Sequence, residues 1–208
     1  MVDRMDVRST PSAPARRLLE AACSLIAANG LDGATIREVA TSAGVSIGAV
    51  QHHFRTKDDM LEAAFRHVVD MTARRVANIP LGSDVRRNLA LVIRELLPLD
   101  ELRQREAKVY VAFASRAITS PRLAAVQRQT LDTITEQLSP AFAADARREA
   151  ELLLAVADGL TFDAVTRGEA PDSDRLEMLL DAYLHRVLPT DTRAARRDRR
   201  RIGDRRGA

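Results

Sequence analysis

Apolar side chains recur at i, i+3, i+4 and i+7 along most of the chain, the period of helices with one buried face. Leu18, Leu19, Ala22, Leu25 and Ile26 predict a first helix that ends at "ANG", with Gly30 as its C-cap. Thr35 opens a second, with Glu38 at capping-box spacing and Ile36, Val39 and Ala40 turned inward. That helix stops at Gly44. Ser46 caps a short third helix whose inward positions are Val50 and Phe54. Thr56 caps a longer fourth, with Met60, Leu61, Ala64, Phe65, Val68 and Val69 on one stripe. After the connector "ANIPLGSD", helical patterns run over 84–97, 101–119, 122–138, 143–167 and 174–188. Pro98, Ser120–Pro121, Pro140 and Gly168–Pro171 punctuate them. No segment alternates as a strand does. The fold class is therefore all-α, with about nine helices.

Composition changes this picture little. Of 208 residues, 46% are hydrophobic, 29% charged and only 3% aromatic, with no tryptophan, so aliphatic side chains must build the core. No apolar run reaches the length of about 18 residues that a membrane span needs. The opening "MVDRMDVRSTPSAP" lacks the apolar stretch of a secretory signal. Lone Cys23, in "LLEAACSLIAA", is expected to be a small buried apolar residue, and it fits a reducing cytosol. A cytoplasmic protein is expected.

Charge changes it more. The net charge is +3, but residues 190–208 hold eight arginines against three aspartates. Residues 1–189 keep 24 basic and 26 acidic side chains, a balance of −2. Any nucleic-acid contact must then be a small shaped footprint, not a broad basic face. Such a footprint is offered by "TIREVATSAGVSIGAVQHHFRTKDDML", residues 35–61. Ala40, Gly44 and Val50 supply what a helix-turn-helix needs: a small residue at the crossing, a glycine for the turn and an apolar anchor. Ser46, Ile47, Gly48, Ala49, Gln51, His52 and His53 then point outward. Small residues at 48 and 49 let the backbone approach a duplex, and Gln51 and the histidines can donate to phosphates or base edges. Lys57 lies in the first turn after the Thr56 cap, where a cation opposes the helix dipole. It becomes sensible where a phosphate docks on the free N–H groups.

Together with the preceding "RRLLEAACSLIAANG", this stretch resembles the DNA-binding domain of the TetR family of transcriptional regulators, over about the first 65 residues. The family commonly carries Tyr-x-x-Phe where this chain has Gln51 to Phe54; regulators similar to the choline-responsive repressor group carry "QHHF". The resemblance implies that Ile47, Gly48 and Ala49 face bases, with His52 near a base edge or phosphate. Thr35, Arg37, Gln51, His53 and Lys57 would hold the DNA backbone. It also implies a homodimer on double-stranded operator DNA, released by a small-molecule effector. No cofactor is expected, and the inducer is unknown. "ADGLTFDAVTRGE" is similar to the corresponding helix of the choline-repressor-like group.

Four divisions follow: a disordered arm at 1–12, a helix-turn-helix domain at 13–60, a helical ligand-binding and dimerisation domain at 61–189, and a basic disordered tail at 190–208. The tail either adds sequence-independent DNA affinity or is a solvated terminus. Leu152, Leu153, Val156 and Leu160, with Leu176, Leu179, Leu180 and Tyr183, are the candidate dimer faces. Tyr110, Phe113, Arg116 and Phe162 are the candidate pocket; Arg116 could meet an anionic inducer or a carboxylate such as Asp158. The alternatives are a small all-α enzyme or a metal-binding helical protein. The first lacks a nucleophile paired with a base. The second lacks geometry, because the adjacent His52 and His53 point about 100° apart on a helix.

Overall fold

The computed structural model describes residues 13–188. The expected arm at 1–12, the end of the second domain at 189 and the tail at 190–208 lie outside the described residues. The described chain is nine α-helices: α1 (Ala13–Gly33), α2 (Ile36–Ala43), α3 (Ile47–His53), α4 (Lys57–Ala77), α5 (Val85–Arg94), α6 (Glu101–Ala117), α7 (Pro121–Leu138), α8 (Ala146–Thr166) and α9 (Ser173–Val187). A 3-10 turn, Ser139–Ala141, joins α7 to α8. There is no strand among the described residues.

The helix ends differ from the expected ones for local reasons. Gly30 does leave the helix, at φ 70° and ψ −176°, but one further turn follows before α2. The segment expected at 84–97 is helical only to Arg94, and Leu96 and Leu97 continue through three-residue bonds to Ile93 and Arg94. Leu97 precedes Pro98, whose ring disfavours α geometry there. The segment expected from 143 starts at Ala146, because Asp145 takes a left-handed φ of 46°.

Two apolar cores form. The first holds the inner faces of α1, α2, α3 and α4, and continues into Val109, Phe113 and Ala117 of α6 and Leu123 and Val126 of α7. The second joins α5, the end of α7, α8 and α9 around Ile93, Leu153, Leu180 and Leu184. The expected boundary at 60–61 falls on Met60 and Leu61, both fully buried in the first core. The helix-turn-helix is thus packed on the body through α1 and α4, both of which lie against α6. Cys23 belongs to this core, and burial pushes its thiol up to about 12.

Helices α4 and α6 run antiparallel and are joined at three levels. Near the start of α4, Arg116 donates to Asp58 through Nε at 2.9 Å and Nη2 at 3.3 Å. Midway, the rings of Phe65 and Phe113 stack at 3.9 Å. At the far end, Arg75 donates to Glu106 at 2.6 and 3.0 Å and to Glu95 at 2.7 Å. Burial of the two rings supplies the apolar attraction, on the order of 1.5–3 kcal/mol each. The ion pairs fix register along the helices.

Candidate nucleic-acid interface

The corner between α2 and α3 is built by local chemistry. The Thr35 N–H donates to Glu38 Oε2 at 2.9 Å, and the Glu38 N–H donates back to Thr35 Oγ1 at 3.2 Å. The Thr35 N–H also holds the Glu38 carboxyl below its ordinary range. At the other end Gly44 sits at φ 67°, ψ 36°. Its N–H donates to Thr41 O and that of Val45 to Ala40 O, the paired bonds that close a helix on a left-handed residue. Ser46 Oγ then accepts from the Ala49 N–H at 3.2 Å, starting α3 at once. Val50 and Phe54 anchor that helix in the first core.

With those two residues inward, the opposite side of α3 is solvent-facing. Ile47 is 46% exposed, unusual for so large an apolar side chain, and Gly48, Ala49, Gln51, His52 and His53 are all exposed beside it. The two imidazole rings meet edge-on, with centroids 5.6 Å apart, at the helix's C-terminal end. Ser46, Thr35 and Arg37 are exposed on the same corner. Thr35 and Ser46 use their oxygens as cap acceptors, which leaves each hydroxyl proton available to an incoming oxygen. Lys57 is partly exposed at the start of α4, and its ammonium lies 3.6 Å from Asp32. Asp32 is fully exposed, so this pair holds Lys57 only loosely. The arrangement is a short helix standing proud of the surface, with an apolar and small-residue tip and polar donors around it. It suits entry into a major groove.

Behind it, α4 is gripped by the turn between α6 and α7. Besides the Arg116–Asp58 pair, Arg122 donates to Asp59 at 2.6 Å and to Glu62 at 2.7 Å. The Arg122 guanidinium holds the Asp59 carboxyl below its usual range. These contacts correct the expectation for Arg116, which faces Asp58 and not Asp158. Asp158 instead accepts from the Tyr110 hydroxyl at 2.9 Å. Phe113 is fully buried against Phe65, a core residue and not a pocket wall. Phe162 is 58% exposed on the outside of α8, so it does not line the interior with Tyr110.

The candidate dimer residues also divide. Leu153 and Leu180 are wholly buried in the chain's own second core, and Leu176 is equally buried inside the chain, so no partner can touch them. Leu152 is 48% exposed, while Val156, Leu160, Leu179 and Tyr183 are half-buried. Sequence reasoning missed the exposed Met178, and missed Arg122 and Gln127 altogether. Gln127 carried no signal. Asp158 did carry one, as a carboxylate beside the apolar stripe of α8, and the sequence named it only as a partner for Arg116.

Comparison with known proteins agrees with this geometry. Residues 18–64 match the model of the tetR family of bacterial regulatory proteins, and residues 85–189 that of the C-terminal part of BetI-type transcriptional repressors. The transcriptional regulator BetI of Escherichia coli K12 is 30% identical over 187 residues, covering 85% of this chain and 94% of that protein. A transcriptional regulator from Rhodococcus sp. Rha1 superposes with a TM-score of 0.77 at 45% identity, covering 85% of this chain and 96% of the other. One from Saccharomonospora viridis, solved in complex with choline, gives 0.73 at 25% identity, over 82% and 94%. With the exposed recognition helix, capped corner and helical body all in place, the chain belongs to the TetR family of DNA-binding transcriptional regulators, with a BetI-type C-terminal half.

Proposed function

We propose that two copies of this chain bind a palindromic operator together, as a repressor that a small-molecule inducer releases. Each copy lays α3 in a major groove, with Ile47, Gly48 and Ala49 against base edges and His52 at an edge or phosphate. Thr35, Arg37, Ser46, Gln51, His53 and Lys57 grip the DNA backbone. The two recognition helices lie roughly 34–36 Å apart, one turn of duplex. Their partner surface is the outward side of α8 and α9. The inducer enters among α6, α7 and α8, and the protein works in the cytoplasm on chromosomal DNA.

One observation carries the release step. The helices that bring Tyr110 and Gln127 together also hold Arg116 and Arg122, which grip the first two turns of α4. Displacing α6 or α7 therefore moves α4, and α4 follows directly on α3. Operator affinity falls only as far as the inducer favours the displaced conformer over the binding one. The choline bound by the Saccharomonospora viridis regulator supports a small organic effector for this chain too.

The test is binding of the purified protein to DNA flanking its own gene, at several salt concentrations. Selective binding with two chains per site, weakening as salt rises, is expected. Lys57→Ala should weaken all sequences alike, whereas changes at Ile47 or Ala49 should alter which sequence is preferred. Absence of binding even at low salt, or a change of base preference on Lys57→Ala, would overturn this division of labour.

A further inference from the structure

Three polar side chains from three helices meet in the body: Tyr110 of α6, Gln127 of α7 and Asp158 of α8. Their protons run in one direction. The Gln127 amide donates to the Tyr110 oxygen at 3.2 Å, and the Tyr110 hydroxyl donates to Asp158 Oδ1 at 2.9 Å. With Asp158 ionised, turning the amide round would set its oxygen against a hydroxyl whose single proton is already committed. The chain of donors thus leaves acceptors over. Gln127 Oε1 is buried with no partner. Asp158 has Tyr110 as its donor, and no Arg, Lys or His among the described residues pairs with it. A buried acceptor without a donor, beside a half-buried carboxylate without a cation, is a costly arrangement for a chain to keep. A ligand that brings both donors and positive charge removes both costs together.

Resting on the reading that a small molecule releases this regulator, we propose that the Tyr110–Gln127–Asp158 cluster seats that molecule, and that it takes a protonated primary or secondary amine. An ammonium with N–H groups can donate both to the second Asp158 oxygen and to Gln127 Oε1, the two acceptors left over. A quaternary ammonium has no N–H to give. It is held by open aromatic faces, and these are scarce here. The chain has no tryptophan, and next to Tyr110 the ring of Phe65 already stacks on Phe113. Burial also raises the Asp158 carboxyl above its ordinary value, the expected condition of a site waiting for its counter-ion.

Calorimetric titration of the full-length protein tests this without DNA. The probes are butylamine, benzylamine and 1,4-diaminobutane, each beside its N-trimethylated and hydroxyl counterparts. At least one primary amine should bind at least about tenfold more tightly than both counterparts, the size of one or two hydrogen bonds to a charged group. Asp158→Asn should abolish that preference, and Gln127→Leu should weaken it, with thermal unfolding confirming that both variants fold. Trimethylated probes binding as well as the amines, no amine preference anywhere in the panel, or an unchanged preference in Asp158→Asn would each overturn the proposal. Failure here leaves operator binding untouched. Amine binding that does not loosen DNA would overturn release alone.

Discussion

Gly44 sets the angle between α2 and α3 from a backbone conformation that side-chain-bearing residues adopt only at a cost of about 1–2 kcal/mol. An added Cβ would meet nothing within 4 Å, so that backbone cost stands alone. Gly44→Ala should lower the melting temperature by about 2–8 °C. An unchanged melting curve by circular dichroism would mean that the corner does not need the left-handed turn. Asp158 makes a prediction of opposite sign. Its folded carboxyl is raised, chiefly by burial, so folding favours the protonated form. Below the unfolded value near 4 the group is neutral in both states and costs nothing. As pH rises through that value and then the folded one, the cost appears and is full above both. Asp158→Asn should therefore stabilise the protein at neutral pH and lose that advantage as pH falls below about 4. Melting temperatures across pH 3–8 for both proteins check this; a destabilised Asn variant at pH 7 would contradict it. Residues such as Thr35, Ser46, Thr56 and Gly44 were legible in the sequence because a cap is a contract between neighbours three or four positions apart. The partner of Asp158 lies 48 residues away, and no local pattern announces it.

Among the elements, α4 is the one whose role exceeds its sequence signal. Its apolar stripe and Thr56 cap predicted the helix, and the structure adds what it is fastened to. Arg116 and Asp58 are 58 residues apart, so only the antiparallel packing of α4 on α6 brings them together. The same is true of the split into two cores, which follows from how helices cross and not from the period of any one of them. The partly exposed Arg116–Asp58 pair, screened by solvent, contributes little to stability. Its predicted effect is on the position of α3. Arg116→Asp should lower operator affinity while shifting the melting temperature by no more than about 4 °C. Adding Asp58→Arg should recover much of the lost affinity, because the reversed pair can form again. A double-mutant cycle on DNA binding measures this coupling. Strictly additive losses would show that the contact does not govern the reading head.

At the scale of the whole molecule, the outward side of α8 and α9 is unfinished in a single chain. Leu152 and Phe162 stand 48% and 58% exposed on one side of α8, with Gly159 also exposed between them, and Met178 stands 62% exposed on α9. Sequence periodicity found both helices as dimer candidates, yet it assigned three buried leucines to the interface. Both sides of each helix are apolar enough to bury, and the packing of α6 and α7 on α8, and of α5 on α9, decides which side is taken. The side left over suits a second copy, since a self-complementary two-fold contact needs one patch used twice. A stable interface of this kind covers roughly 800 Å² on each partner, more than these side chains supply alone, so the neighbouring half-buried Val156, Leu179 and Tyr183 must contribute. The wild-type protein should run in light-scattering chromatography at twice the 22.9 kDa of one chain. Phe162→Glu and Leu152→Glu together would bury two like charges on each partner, and should yield a folded monomer. That monomer keeps an intact α3 but reaches only one half-site, so operator affinity should fall by at least about a hundredfold while binding to a single half-site stays unchanged. A variant that remained dimeric would place the interface on another surface. One that became monomeric with full operator affinity would show that a single recognition helix suffices, and the symmetric-operator reading would go with it.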